Sequence, residues 1–299
     1  MSASKSNEMI VLSTIVVILL GITTGMPAGS ATRDPAPITF NSPNAQPDGY
    51  FGFSVAVSGT SMVVGAPQEY ANGLFHAGHV YVFSTAGSLL ATLTSPNALV
   101  SGEFGWSVAV SGMNVVVGAP FETASGLLQA GHAYIFSSTG SLIATLTSPN
   151  AQTGGRFGAS VAMSGRRVIV GAPWEAPNGQ FYVGHAYICT ATECPPTGTL
   201  TSPNAQTQGW FGNSVAISGM TGEVGAPYEG GPGLSVSGRT YIFSARSFLI
   251  NTLTSPNALP GEAFGFSIAV DGPSLVVGAL EGNPTGAGHA YLYATAFVR

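Results

Sequence analysis

Four of the five histidines stand at one position of a recurring pattern, and three of them follow a glutamate by ten residues. The pairs are Glu69/His79, Glu122/His132 and Glu175/His185; a fourth copy reads Glu229/Arg239, and His289 follows a Glu281 displaced by one position. A carboxylate beside an imidazole can hold a metal ion, tune a proton, or pin a loop by a hydrogen bond. Metal sites draw on more than one such pair, and copies spaced around a repeat cannot converge on one ion. The pairs are therefore read as structural, pinning the base of a loop, with a ring of metal or ligand sites as the alternative. No metal and no cofactor is expected.

A second set of positions varies where its surroundings do not. The residue before each Phe-Gly is Tyr50, Glu103, Arg156, Trp210 and Ala263 in turn. Aromatic and charged side chains at one symmetric position suit a sugar or peptide ligand. Drift at an exposed loop tip gives the same variation. The loops that follow each Gly-Ala are rich in aromatics (Tyr70, Phe75, Phe121, Trp174, Phe181, Tyr182, Tyr228). Tyr50, Glu103, Arg156, Trp210 and Trp174 are thus the candidate ligand-binding residues. Glu223 falls in a slot filled elsewhere by Val63, Val116, Ile169 and Val276. A carboxylate there needs a partner, exposure or a raised pKa; Arg246 is the candidate partner, and local degeneracy of that repeat is the plainer reading. No GxSxG turn, HExxH helix or Gly-rich phosphate loop occurs, so no catalytic residues are assigned and the chain is not read as an enzyme.

The elements that position these residues are repeats. Phe-Gly recurs at 51, 104, 157, 211 and 264, Gly-Ala at 65, 118, 171, 225 and 278, and Ser-Pro-Asn-Ala at 42, 95, 148, 202 and 255. Each repeat contains four strand-like runs: in the second copy SVAV at 107–110, VVVG at 115–118, HAYIFS at 132–137 and SLIATLT at 141–147. Short polar or glycine-containing turns separate them, as antiparallel hairpins require. Four antiparallel strands per copy, with no helical periodicity beyond the leader, predict an all-β, five-bladed β-propeller of four-stranded blades. Residues 38–43 (ITFNSP) align with the outermost strand of other copies, which the last copy lacks. The N-terminal strand is therefore expected to complete the last blade and close the ring.

Phe-Gly, Gly-Ala-Pro and the Tyr/Phe-rich strand, recurring together across 38–299, resemble the FG-GAP repeat of integrin α-subunit propellers and many exported microbial proteins. The resemblance implies one blade per repeat, with the strand after Phe-Gly innermost. It also implies calcium in the first turn of a blade, but the turns here read SGTS, SGMN, SGRR, SGMT and DGPS. Asp271 alone supplies a carboxylate, which is too few oxygens for calcium.

Composition agrees. Of 299 residues 45% are hydrophobic and only 7% charged, with net charge −5. Lys5 is the sole lysine and the arginines are scattered, which excludes a basic nucleic-acid surface. The run Met9–Ile22 (MIVLSTIVVILLGI), followed by small residues, marks 1–31 as a signal peptide or an uncleaved membrane anchor, with 32–37 a linker and 38–299 the repeat domain. Export makes Cys189 and Cys194, flanking a hairpin loop, a predicted disulfide. The expectation is an extracytoplasmic, secreted or cell-surface recognition or adhesion module for a glycan or an extracellular protein. The alternatives are a purely structural envelope component and a glycan-active hydrolase using loop carboxylates such as Glu103 and Glu262. Membrane contact is expected only through an uncleaved leader.

Overall fold

The computed structural model describes residues 37–194, 198–231, 233, 236–280 and 287–294. The expected leader and nearly all of the linker lie outside the described residues, as does Glu281. Among the described residues no helix is long and apolar enough to cross a membrane.

The chain forms five antiparallel sheets in sequence order. The first is β1 (Ser54–Ser58), β2 (Ser61–Ala66), β3 (His79–Ser84) and β4 (Leu89–Leu93). The second is β5 (Ser107–Ser111), β6 (Asn114–Ala119), β7 (His132–Ser137) and β8 (Leu142–Leu146). The third is β9 (Ser160–Ser164), β10 (Arg167–Ala172), β11 (His185–Thr190) and the short β12 (Thr199–Leu200). The fourth is β13 (Ser214–Ser218), β14 (Thr221–Ala226), β15 (Arg239–Ser244) and β16 (Leu249–Leu253). The fifth has three strands, β17 (Phe264–Asp271), β18 (Ser274–Ala279) and β19 (His289–Ala294).

The first two strands of the first four sheets meet through a Ser-Gly turn, and those of the fifth through Asp271-Gly272. Ser58 pairs with Ser61 across a two-residue loop, and Gly59 takes φ 56° there, a left-handed value that glycine adopts without steric cost. The second strands are apolar on consecutive residues because both of their faces are covered. Val115, Val116 and Val117 are fully buried.

Sheets pack face to face in chain order: β1 against β5, β5 against β9, β9 against β13 and β13 against β17. At the first joint Ala56, Val63, Val80 and Val82 bury against Val108, Val110, Val115 and Val117. The fourth joint repeats the scheme, with Ala216 and Ile242 against Ile268, Leu275 and Val277. The two signature glycines meet at every one of these joints. A Cβ on Gly118 would fall 2.0 Å from the carbonyl oxygen of Gly158, and Gly65, Gly171 and Gly225 approach Gly105, Gly212 and Gly265 in the same way. A serine locks each approach. Ser54, Ser107, Ser160 and Ser214 donate to the carbonyls of Gly105, Gly158, Gly212 and Gly265 at 2.7–2.8 Å.

The ends differ from the sequence expectation. No packing of this kind joins β17 to β1 among the described residues. Residues 37–42 form no strand and do not pair with β19; they lie on the first sheet, where Phe40 meets Phe83 at 5.0 Å and Ser42 donates to Glu69. The physical reason is local. Each Ser-Pro-Asn-Ala serine is bound by the Glu–Tyr cluster of the sheet that follows it, so Ser42 is anchored whether or not a preceding sheet is present.

Candidate recognition surface

The buried glutamates are positioned by the second-to-third-strand loops. His132 Nδ1 lies 2.9 Å from Glu122 Oε2, and the Tyr134 hydroxyl donates to the same oxygen. His79 Nδ1 is 3.0 Å from Glu69 and His185 Nδ1 is 2.6 Å from Glu175. Tyr81 and Tyr187 donate to these two carboxylates, and so do Ser42 and Ser148 from the preceding segment. Burial pushes the Glu69 carboxyl up, but bonds from His79, Ser42 and Tyr81 outweigh it and hold the group below its ordinary value. Tyr134 and Tyr187 are raised well above the ordinary phenol, by burial first and then by the adjacent carboxylate.

The fourth copy departs from the expected pair. Arg239 donates to the Gly230 carbonyl at 3.3 Å, and Glu229 is bonded by Tyr241 instead. Burial raises the Glu229 carboxyl, with Ser202, Tyr241 and the Arg239 charge offsetting only part of it. In the fifth copy Glu262 accepts from Ser255 and Tyr291. Among the described residues no group of three or more His, Cys, Asp or Glu side chains gathers as a metal site.

The residues before Phe-Gly share one backbone state. Tyr50, Glu103, Arg156, Trp210 and Ala263 have φ of 54°, 53°, 57°, 55° and 53°. Non-glycine residues adopt this left-handed region at a cost, and they do so where the surroundings fix them. Here the fixing bond comes from the neighbouring sheet. Glu103, Arg156, Trp210 and Ala263 donate their N–H groups to the carbonyls of His76, Gln129, Tyr182 and Val236 in the preceding second-to-third-strand loops.

This turn brings aromatic rings from four sheets into one continuous band. Tyr50 meets Phe53 at 6.4 Å, Phe53 meets Trp106 at 4.8 Å, and Trp106 meets Phe121 at 5.2 Å. The Arg156 guanidinium bridges the middle, 4.5 Å from the Phe121 ring centre and 3.1 Å from that of Trp174. Trp174 then meets Trp210 at 5.8 Å, and Trp210 meets Tyr228 at 4.6 Å. Of the sequence candidates, Tyr50, Arg156, Trp174 and Trp210 therefore belong to one surface. Glu103 is half-buried on the equivalent turn but does not line the pocket at the band's centre; Ala263 is buried.

That pocket is lined by Trp106, Phe121, Arg156, Ala159, Trp174, Trp210 and Asn213, among others. Sequence reasoning missed Trp106, Ala159 and Asn213. The signal was present at the second residue after each Phe-Gly start, which reads Phe53, Trp106, Ala159, Asn213 and Phe266. Glu223 is buried between its strand neighbours Ala216 and Ile242, with no bond to Arg246, and burial pushes its carboxyl up to about 7. Cys189 and Cys194 form the expected disulfide.

Comparison with known families adds the decisive observation. The FG-GAP repeat matches five times, at residues 41–83, 88–136, 141–189, 197–243 and 249–293. The chain belongs to the FG-GAP repeat family. Among curated proteins, none matches the chain. The FG-GAP repeats begin one strand before the sheets do, so a matched repeat such as 88–136 takes its first strand, β4, from the preceding sheet. The glycines that name the FG-GAP repeat are the ones whose backbones touch across each joint, which is why neither tolerates a side chain. FG-GAP repeats occur in adhesion and recognition modules.

Proposed function

We propose that this chain is an exported recognition or adhesion module whose contact surface is the aromatic band centred on Arg156. The band carries this reading. Half-buried rings from four successive sheets, joined by the exposed Tyr50 and interrupted by one cation, with Tyr50, Arg156 and Trp210 held in a costly backbone state, suit binding better than packing alone. The disulfide fits an oxidising, extracytoplasmic setting. The chain acts without catalysis in this reading. The innermost strands β1, β5, β9 and β13 carry no acid, and Glu262 is occupied by Ser255 and Tyr291. The Glu–His pairs pin loops to the strands beneath the band.

The same reading closes the five sheets into a propeller, with residues 38–41 as the fourth strand of the fifth sheet. Two observations support this. The first sheet presents Val55 and Val57, 41% and 40% exposed, where their equivalents Val108 and Val110 are 2% and 8%. The fifth presents Leu292, 72% exposed, where Ile135 is fully buried. These are the two unmade halves of the joint used four times elsewhere.

Binding of the chain to arrayed glycans and to intact cell surfaces, with and without Trp174→Ala/Trp210→Ala, tests the function. Loss of binding with an unchanged melt supports recognition. Absence of binding to every surface favours a purely structural envelope component, a reading to which the low charge and near-identical sheets also point.

A further inference from the structure

We infer that the face opposite the aromatic band docks on an anionic lipid bilayer, with Met113, Met220 and Phe248 entering its interface. This surface is separate from the band and does not depend on what the band binds. It sets which way the molecule faces.

The face is built by turns. Antiparallel pairing puts the turn between the first and second strands at the same end of a sheet as the turn between the third and fourth, far from the band. The two turns are tied together in each of the first four sheets. Thr85, Ser138, Ala191 and Ala245 donate their N–H groups to the carbonyls of Thr60, Met113, Arg166 and Met220 at 2.7–2.9 Å. Neighbouring sheets are tied at the same level. Gly112 and Gly165 donate to the hydroxyls of Ser58 and Ser111, and Arg167 reaches the Met220 sulfur. The turns of four sheets thus make one continuous surface. At its tips stand Met113, Met220 and Phe248, 69%, 58% and 69% exposed, with the exposed Leu89, Leu142 and Leu249 at its rim.

Charge selects the partner. Of the five arginines among the described residues, Arg166, Arg167 and Arg246 stand on these turns, against Glu193 and Asp271. The acids gather at the other end, with Asp48, Glu103 and the buried Glu69, Glu122, Glu175 and Glu229. A chain of net charge −5 therefore presents one cationic end. Apolar tips flanked by arginines suit the headgroup region of a bilayer, where the tips leave water and the guanidinium groups meet lipid phosphates. A nucleic acid or an acidic protein would engage the arginines and leave Met113 and Phe248 in water. The path of the chain agrees. Ile38 is exposed beside the turn at Gly87, so the segment that carries the leader joins the fold at this end. The sequence ties membrane contact to the leader alone; these turns extend it to the folded domain and point the band away from the lipid.

The test is amide hydrogen exchange of the full chain, resolved by peptide, alone and with vesicles of phosphatidylcholine or of phosphatidylcholine mixed with phosphatidylglycerol. Expected is slowed exchange at 112–114, 219–221 and 245–249 with the anionic vesicles, and unchanged exchange at 156–159 and 174–176. Met113→Ser/Met220→Ser/Phe248→Ser should abolish this protection with the melt unchanged, since all three side chains are exposed. Arg166→Gln and Arg246→Gln should each raise the lipid needed for half protection by about fivefold. Every variant keeps the leader, so tethering by the leader does not account for a difference between them. Absence of protection with either vesicle overturns the inference, as does equal protection by the neutral one, or protection that the triple variant retains. Heparin serves as an anion without lipid: protection of the same turns by heparin that survives in the triple variant assigns an anionic polymer instead. Protection that grows with protein concentration in the absence of lipid assigns a second copy of the chain, and likewise overturns it.

Discussion

Burying a carboxylate between two apolar neighbours makes Glu223 a residue through which pH acts on this fold. It faces the fourth joint beside Ala216 and Ile242, which pack on Phe264, Ile268 and Leu275. Burial is the chief cause of its rise from 4.5 to about 7, and the Thr221 hydroxyl offsets a small part. A raised folded-state pKa means the folded chain favours the protonated acid. The stability at this site is therefore full below the ordinary carboxylate range and is lost as pH rises through about 7. The loss amounts to about 3 kcal/mol. Glu223→Val should accordingly raise the melting temperature more at pH 8 than at pH 5. Equal gains at both pH values, measured by thermal denaturation, would contradict the assignment. The anomaly of Glu223 was legible in the sequence because four sister positions are aliphatic; its isolation from Arg246 was not, since pairing across a hairpin depends on side-chain reach. A second compensation was hidden in the same way. Gly49, Gly102, Gly155 and Gly209 leave room for the Cγ of Glu69, Glu122, Glu175 and Glu229. The fifth copy puts Glu262 at the glycine position, and this carboxylate reaches Ser255 and Tyr291 from the opposite side.

At the level of elements, the unit that repeats is the joint between sheets as much as the sheet itself. Strand order, hairpins and doubly covered second strands follow from alternation and Ser-Gly turns, and these were legible. The joint was not, because the contact between Gly118 and Gly158 spans 40 residues and involves backbone that carries no pattern of its own. It becomes visible only when Ser107 is seen donating to Gly158. That serine is buried and its bond crosses between sheets, so Ser107→Ala should cost about 1 kcal/mol. Urea unfolding of the variant measures it; a change within error would mean the hydroxyl contributes nothing to the joint. The aromatic band obeys the same logic. Trp210 could be picked out as a variable residue, yet its partnership with Trp174 depends on the bond from its N–H to Tyr182 in the neighbouring loop.

For the whole molecule, everything turns on whether the fifth joint is made. Gly278 and Ser267 end the series with no glycine carbonyl against them, while Gly52, the matching glycine of the first sheet, has space around it. Phe40 and Ser42 already sit on the first sheet where Leu93 and Ser95 sit on the second, so the segment that would complete the fifth sheet is in place at one end. A closed ring puts the Gly52 carbonyl over Gly278 and covers the apolar faces that the first and fifth sheets leave open. The direct test is the melting temperature of Gly278→Ala set beside that of Gly118→Ala. Closure predicts that the two substitutions depress the melt by similar, large amounts, each forcing a methyl group into a neighbouring backbone. A Gly278→Ala chain that melts close to the parent while Gly118→Ala collapses would show that the first and fifth sheets never meet.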